Sequence, residues 1–166
     1  MNIFHTPRPA LPVLAGLVAT TALLATSALP ARADGDRHMV VAVEEITFKA
    51  GPATLPPGAQ IAVLQGNPGK EGPFVIRLKF PAGYNVPPHR HPEEEHVTVI
   101  SGGFGIAVGE QHDRSAAGLL APGGFVRIPE GQAHYAWTEA ETVVQINAEG
   151  PFGIEYVDSA DDPRIN

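Results

Sequence analysis

From Gly51 to Gly153, glycine and proline recur every few residues, and the apolar runs between them are short. A helix needs an apolar stripe repeating at about 3.6 residues over roughly ten positions, and no such stripe is sustained after residue 33. What the breaks leave room for is strands. The clearest is Phe74 to Phe80, where Phe74, Ile76, Leu78 and Phe80 alternate with Val75, Arg77 and Lys79, giving one apolar and one mixed face. Further candidates are Glu45 to Lys49, Gln60 to Gln65, Val97 to Ile100, Gly103 to Val108, Phe125 to Ile128, Ala133 to Trp137 and Thr142 to Ile146. Turn sequences such as Pro56-Pro57-Gly58, Asn67-Pro68-Gly69, Ser101-Gly102-Gly103, Pro122-Gly123-Gly124 and Pro129-Glu130-Gly131 separate them. Many short strands with regular turns predict an all-β sandwich or barrel. Gln111 to Ala121 reads as a polar loop, and Asp158 to Asn166 as a polar segment that lies on the surface or frays.

The first 33 residues stand apart. Arg8 supplies a positive charge, Leu11 to Leu29 carries none, and Ala31-Arg32-Ala33 is a small-x-small cleavage site. Residues 1–33 are therefore expected to be a signal peptide, with Asp34 the first mature residue. Pro12, Gly16 and Pro30 interrupt the apolar run, which argues against a permanent membrane anchor. No cysteine is present to carry a lipid, and a lone Arg8 is no twin-arginine signal, so the chain should leave the cytoplasm unfolded, for the periplasm or the extracellular medium.

Cleavage leaves 34–166, 133 of the 166 residues and the size of one domain. Without cysteine, its stability rests on packing and any bound metal. Losing Arg8 and Arg32 leaves nine basic residues against 18 acidic ones, a net charge of −9. Such a surface repels nucleic acid and anionic membranes, so a small molecule is the expected partner.

Three of the seven histidines fall in Pro87-Pro88-His89-Arg90-His91-Pro92-Glu93-Glu94-Glu95-His96. Residues two apart on a strand project to the same side, so His89 and His91 can aim two imidazoles at one point. Pro92 should end that strand, and Glu95 is placed to enter from the next one. Imidazole with carboxylate and no thiolate suits a divalent first-row ion: Fe, Mn, Ni, Cu or Zn.

Gly83, five residues, His89-x-His91, three residues, Glu95, six residues and Gly102 form one motif; Gly123, five residues, Pro129-x-Gly131, two residues and His134 form another. Both resemble the two motifs of the cupin superfamily, here a small cupin-2-like protein. The second departs from the family at Thr138, where the family has Asn; that Asn is not a ligand there, so the departure touches a local turn. The resemblance implies a double-stranded β-helix, or jelly-roll barrel, with its core at about 74–146. It also implies a metal held by His89, His91, Glu95 and His134, with substrate arriving at the barrel mouth.

Other residues carry weaker expectations. His96 should point away from the site, Glu93 and Glu94 should be solvated, and His38 and His112 exposed; His5 belongs to the signal peptide. Tyr135 and Trp137 alternate with His134, so they should face away from the metal and pack on a second layer or a neighbouring subunit, the latter making a homodimer. Arg127, in an otherwise apolar strand, either reaches solvent or offers a cation to an acidic substrate inside the barrel; Tyr84 is a second candidate for the pocket rim. The leading reading is a metal-dependent oxidoreductase of dioxygenase or oxidase type acting on a small organic molecule. The rival is a non-catalytic metal-containing barrel that binds or senses a small ligand.

Overall fold

The computed structural model describes residues 38–165; the signal-peptide reading of 1–33 lies outside the described residues. Eleven strands, numbered in chain order, form two antiparallel sheets. The first runs β1 (Lys49–Ala50), β2 (Gln60–Gln65), β3 (Gly72–Phe80), β10 (Thr142–Gly150), β5 (Glu95–Ser101), β8 (Phe125–Ile128). The second runs β11 (Glu155–Tyr156), β4 (Asn85–Arg90), β9 (His134–Thr138), β6 (Phe104–Val108), β7 (Leu119–Leu120). From β3 to β6 and from β7 to β11 the chain steps from one sheet to the other at each turn, the winding of a jelly roll.

The alternation in β3 does what its pattern implies. Phe74, Ile76, Leu78 and Phe80 are buried while the intervening residues are half-buried, and β10 and β5 alongside add Val144, Ile146, Val97 and Val99. Each such side chain stabilises the fold by about 1.5–3 kcal/mol over leaving it in water. The core draws on both ends of the chain beyond 74–146, since Ala59 is buried in it and Leu55, Ile61, Phe152 and Ile154 pack against it.

Local hydrogen bonding redraws several expected elements. Glu45 does not start a strand: its carboxylate accepts from the Ala42 N–H at 3.0 Å and closes a 3-10 turn over Val43–Glu45, leaving only Lys49–Ala50 to pair. The Gln111 to Ala121 loop contains a 3-10 turn, Arg114–Ala116, capped by Asp113, and then β7. Of the two expectations for the C-terminal segment, the surface one holds: it lies mostly exposed, with Arg164 gripping Asp162 at 2.6 and 2.7 Å and donating to the Ile154 carbonyl at 3.2 Å.

One irregularity positions the site. Between β4 and β9, Val86 faces Ala136 and His89 faces His134, three steps on β4 against two on β9. The extra residue is a bulge at Pro87-Pro88, where proline has no N–H to give the ladder. In a regular strand, residues three apart face opposite sides; the bulge instead buries both Val86 and His89. Thr138 holds the turn leading into β4: its hydroxyl donates to the Pro81 carbonyl at 2.7 Å and accepts from the Tyr84 N–H at 3.2 Å.

Candidate metal centre

His89 and His134 are direct cross-strand partners on β4 and β9, with ring centroids 4.1 Å apart. His91 lies just past the end of β4 instead of on it, yet its ring is 4.8 Å from His89 and 5.2 Å from His134. The two motifs are fastened together there. Gly131, at φ +68°, turns the chain in a conformation that favours glycine, and its N–H donates to the His91 carbonyl at 2.9 Å. Arg90 donates to the Gly131 carbonyl at 2.6 Å from the outer face.

Each imidazole is oriented by a main-chain carbonyl. Nδ1 of His89 lies 2.7 Å from the Pro87 oxygen, Nδ1 of His91 2.6 Å from that of Gly153, and Nδ1 of His134 2.9 Å from that of Gln132. A carbonyl only accepts, so each Nδ1 carries a proton, and in a neutral ring that leaves the lone pair on Nε2. One ring nitrogen from each of the three histidines falls within 4.8 Å of those of the other two. Glu95 opens β5 in the opposite sheet, and its Oε2 stands 3.4 Å from Nε2 of His134 and 3.7 Å from Nε2 of His91. Those separations are too long for hydrogen bonds. Three imidazole nitrogens thus meet at one buried spot with a carboxylate beside two of them, a set of donors that fits a cation.

Burial favours the neutral form of His89 and His91. It holds His89 well below the usual histidine range, with His134 and His91 adding to the effect. His91 is also lowered by burial, partly opposed by Glu95 and the Gly153 carbonyl. Neutral imidazole is the form that ligates metal.

In front of these groups lies a cavity of about 250 Å³. A strap over residues 51–59 closes one side of it through Pro52, Thr54 and Leu55. The Tyr84 hydroxyl donates to the Pro56 carbonyl, the Tyr156 hydroxyl to that of Thr54 at 2.7 Å, and the Gly51 N–H to Ala59 at 2.8 Å. Burial raises both phenols, Tyr156 to about 12, so both remain donors. Phe152 forms another wall, stacked on His91 at 4.3 Å and edge-on to Phe74 at 5.3 Å.

His89, His91, Glu95 and His134 are therefore brought together and line the cavity. Arg127 and Tyr84 are not among its lining residues. In β8, Val126 and Ile128 turn inward, which puts Arg127 outside, exposed and paired with Glu94. Tyr84 is buried behind Phe80, their rings stacked at 4.9 Å, and its hydroxyl serves the strap. His96 faces outward and meets Glu94 at 2.9 Å; Glu93 is half-buried, and His38 and His112 are exposed. Tyr135 and Trp137 do point away from the site, and their second layer is the chain's own His112, 4.9 and 6.0 Å from their rings. Trp137 sits against Gly105, where a Cβ would meet its ring at 2.0 Å. Thr54, Phe152 and the Gly153 carbonyl escaped the sequence reading; the Phe152-Gly153-Ile154 alternation after Pro151 was the available signal.

The family model for the ChrR cupin-like domain matches residues 36–153. No curated protein sequence gives a significant match. Among solved structures, the polyketide cyclase RemF of Streptomyces resistomycificus is similar at a TM-score of 0.64 and 18% identity, over 76% of this chain and 90% of that one. A Methylibium petroleiphilum protein assigned as an acetylacetone dioxygenase gives 0.58 and 18%, over 76% and 85%. The cupin-2 domain Rru_A2000 of Rhodospirillum rubrum gives 0.55 and 15%, over 75% and 84%. At these identities the likeness is one of fold.

Proposed function

Starting from a chain that belongs to the ChrR cupin-like family, we propose that this protein is a metal-dependent oxidoreductase of dioxygenase or oxidase type, exported to the periplasm or the medium, acting on a small organic molecule. The observation that carries the reading is the convergence of one ring nitrogen each from His89, His91 and His134, with the Glu95 carboxylate beside two of them, at the wall of an apolar cavity. These four would hold one divalent first-row ion, Fe, Mn, Ni, Cu or Zn. When bound, that ion supplies Lewis acidity toward a substrate oxygen and, if redox-active, electrons.

The chain's own residues do the rest. Carbonyls of Pro87, Gly153 and Gln132 fix the three rings, so the donor set is oriented before anything binds. Glu95 contributes one negative charge. The apolar walls exclude water, which strengthens charge interactions at the donor set, and the strap limits access. Nucleic acid and membranes are not expected partners of the mature, acidic chain.

A second reading, a non-catalytic barrel that binds or senses a small ligand, is favoured by one feature. Among the described residues lining the cavity, no acid or base stands beside the four donors. Spectroscopy of the cobalt- or copper-loaded protein with azide, run alongside dioxygen uptake on candidate substrates, separates the two. The enzyme reading expects azide to perturb the metal spectrum. An unperturbed spectrum means closed coordination and overturns it in favour of a structural or sensing ion.

A further inference from the structure

The cavity wall differs sharply in character from the donor set at its end. Ile76, Leu78, Phe80, Val97, Phe104 and Ile146 supply much of it, and Thr54 on the strap brings the single side-chain heteroatom other than those of the four donors. Among the described residues, no lysine or arginine lines it. On the strands around it, Arg127 pairs with Glu94 outside, Arg77 with Gln145 at 3.3 Å, and Lys79 lies over the Phe48 ring at 5.0 Å. At about 250 Å³ the space lies at the small end of ligand pockets, which run from roughly 300 Å³ upward.

We infer that the ligand of this cavity is a small, largely hydrocarbon molecule with one oxygen-donor end, neutral or singly negative, and not a dicarboxylate, a phosphate ester or a sugar. The donor end rests on the metal reading above; the hydrocarbon body rests on the walls alone. A divalent ion with Glu95 and three neutral imidazoles carries one net positive charge, enough for one anionic oxygen. A second charge on the ligand would face aliphatic and aromatic side chains with no partner, and an unpaired buried charge is strongly disfavoured. A sugar would leave several hydroxyls facing the same carbon surface with only Thr54 to meet them.

Hexanoate and adipate test this, being six-carbon chains that differ only in a methyl or a carboxylate at the far end. 1-Hexanol serves as a probe of the wall without charge. Isothermal titration into the metal-loaded protein should show hexanoate binding at least about tenfold tighter than adipate, with affinity rising about fourfold per methylene from butyrate to hexanoate. 1-Hexanol should bind both the loaded and the metal-free protein. Thr54→Lys, on the half-exposed strap, places a cation at the wall and should shift the hexanoate-to-adipate ratio toward adipate by about tenfold or more, with metal content unchanged. Ala136→Leu, two residues along β9 from His134, should abolish hexanol binding by filling the space while metal stays bound. Adipate binding as well as hexanoate in the wild type, or hexanol failing to bind either form, overturns the inference even where metal content is normal. Absence of metal with hexanol still bound overturns the metal reading and leaves the hydrocarbon ligand standing.

Discussion

Glu94 and Glu95 are adjacent in sequence, yet the outer face of the barrel gives Glu94 an arginine and a histidine while the inner face sets Glu95 beside two buried imidazoles. Outside, the Arg127 guanidinium and His96 hold Glu94, and its carboxyl lies below the usual range, chiefly through the hydrogen bond from Arg127. Inside, Glu95 is 5% exposed and meets the Nε2 atoms of His91 and His134, whose protons sit on the far side of each ring. A chain that balances one carboxylate with its own arginine and leaves the next facing two imidazole nitrogens has left room for an external cation. The outer network is complete by itself, whereas the inner one is completed by a ligand.

The largest break in this contrast comes from His134→Ala or His91→Ala. Metal affinity should fall by more than the roughly 10–100-fold that loss of an outer hydrogen-bond partner costs, as read by competition with a chelator of known affinity. His96→Ala and His112→Ala should leave it unchanged. Glu95→Gln sharpens the contrast by splitting two effects. It should weaken metal binding while stabilising the metal-free protein by about 1 kcal/mol or more in chemical unfolding, because a buried, uncompensated charge has been removed. An unchanged or lowered metal-free stability would show that Glu95 is already balanced within the protein.

Acid should act on the inner site next. His89 and His91 resist protonation in the folded state, while the same residues in the unfolded chain protonate near pH 6.5. Below that pH the unfolded state binds more protons, so metal-free stability should fall as pH drops from about 6.5 toward the lowered folded values, then level off. Bound metal should defer that loss to lower pH. A flat profile across this window would mean that the two rings protonate in place. The smallest effect is expected outside: Arg127→Ala should change melting temperature little and metal content not at all, since exposed ion pairs contribute weakly.

Part of this was legible before any coordinates. The Phe74 to Phe80 alternation is local, and burial of one face follows from it directly. His89 and His91 were readable from their two-residue spacing and Glu95 from its place after Pro92, while His134 entered only through the resemblance to the second cupin motif. Arg127 was harder, as Phe125 lies outside with it and a large apolar residue on both faces of β8 hides the alternation. The bulge at Pro87-Pro88 was illegible, since it exists only relative to β9, some fifty residues downstream. The strap was equally hidden. Nothing near Tyr84 or Tyr156 announces that their hydroxyls bind carbonyls at Pro56 and Thr54, 28 and 102 positions away.

The most direct test is the metal stoichiometry of the chain purified from the compartment where it accumulates, measured by elemental analysis for wild type, His96→Ala and His134→Ala. Convergence of the inner donors on one cation requires about one first-row ion per chain in the first two proteins and almost none in the third. Equal occupancy in wild type and His134→Ala, or a wild type that takes up no ion even when refolded with excess metal, would contradict it.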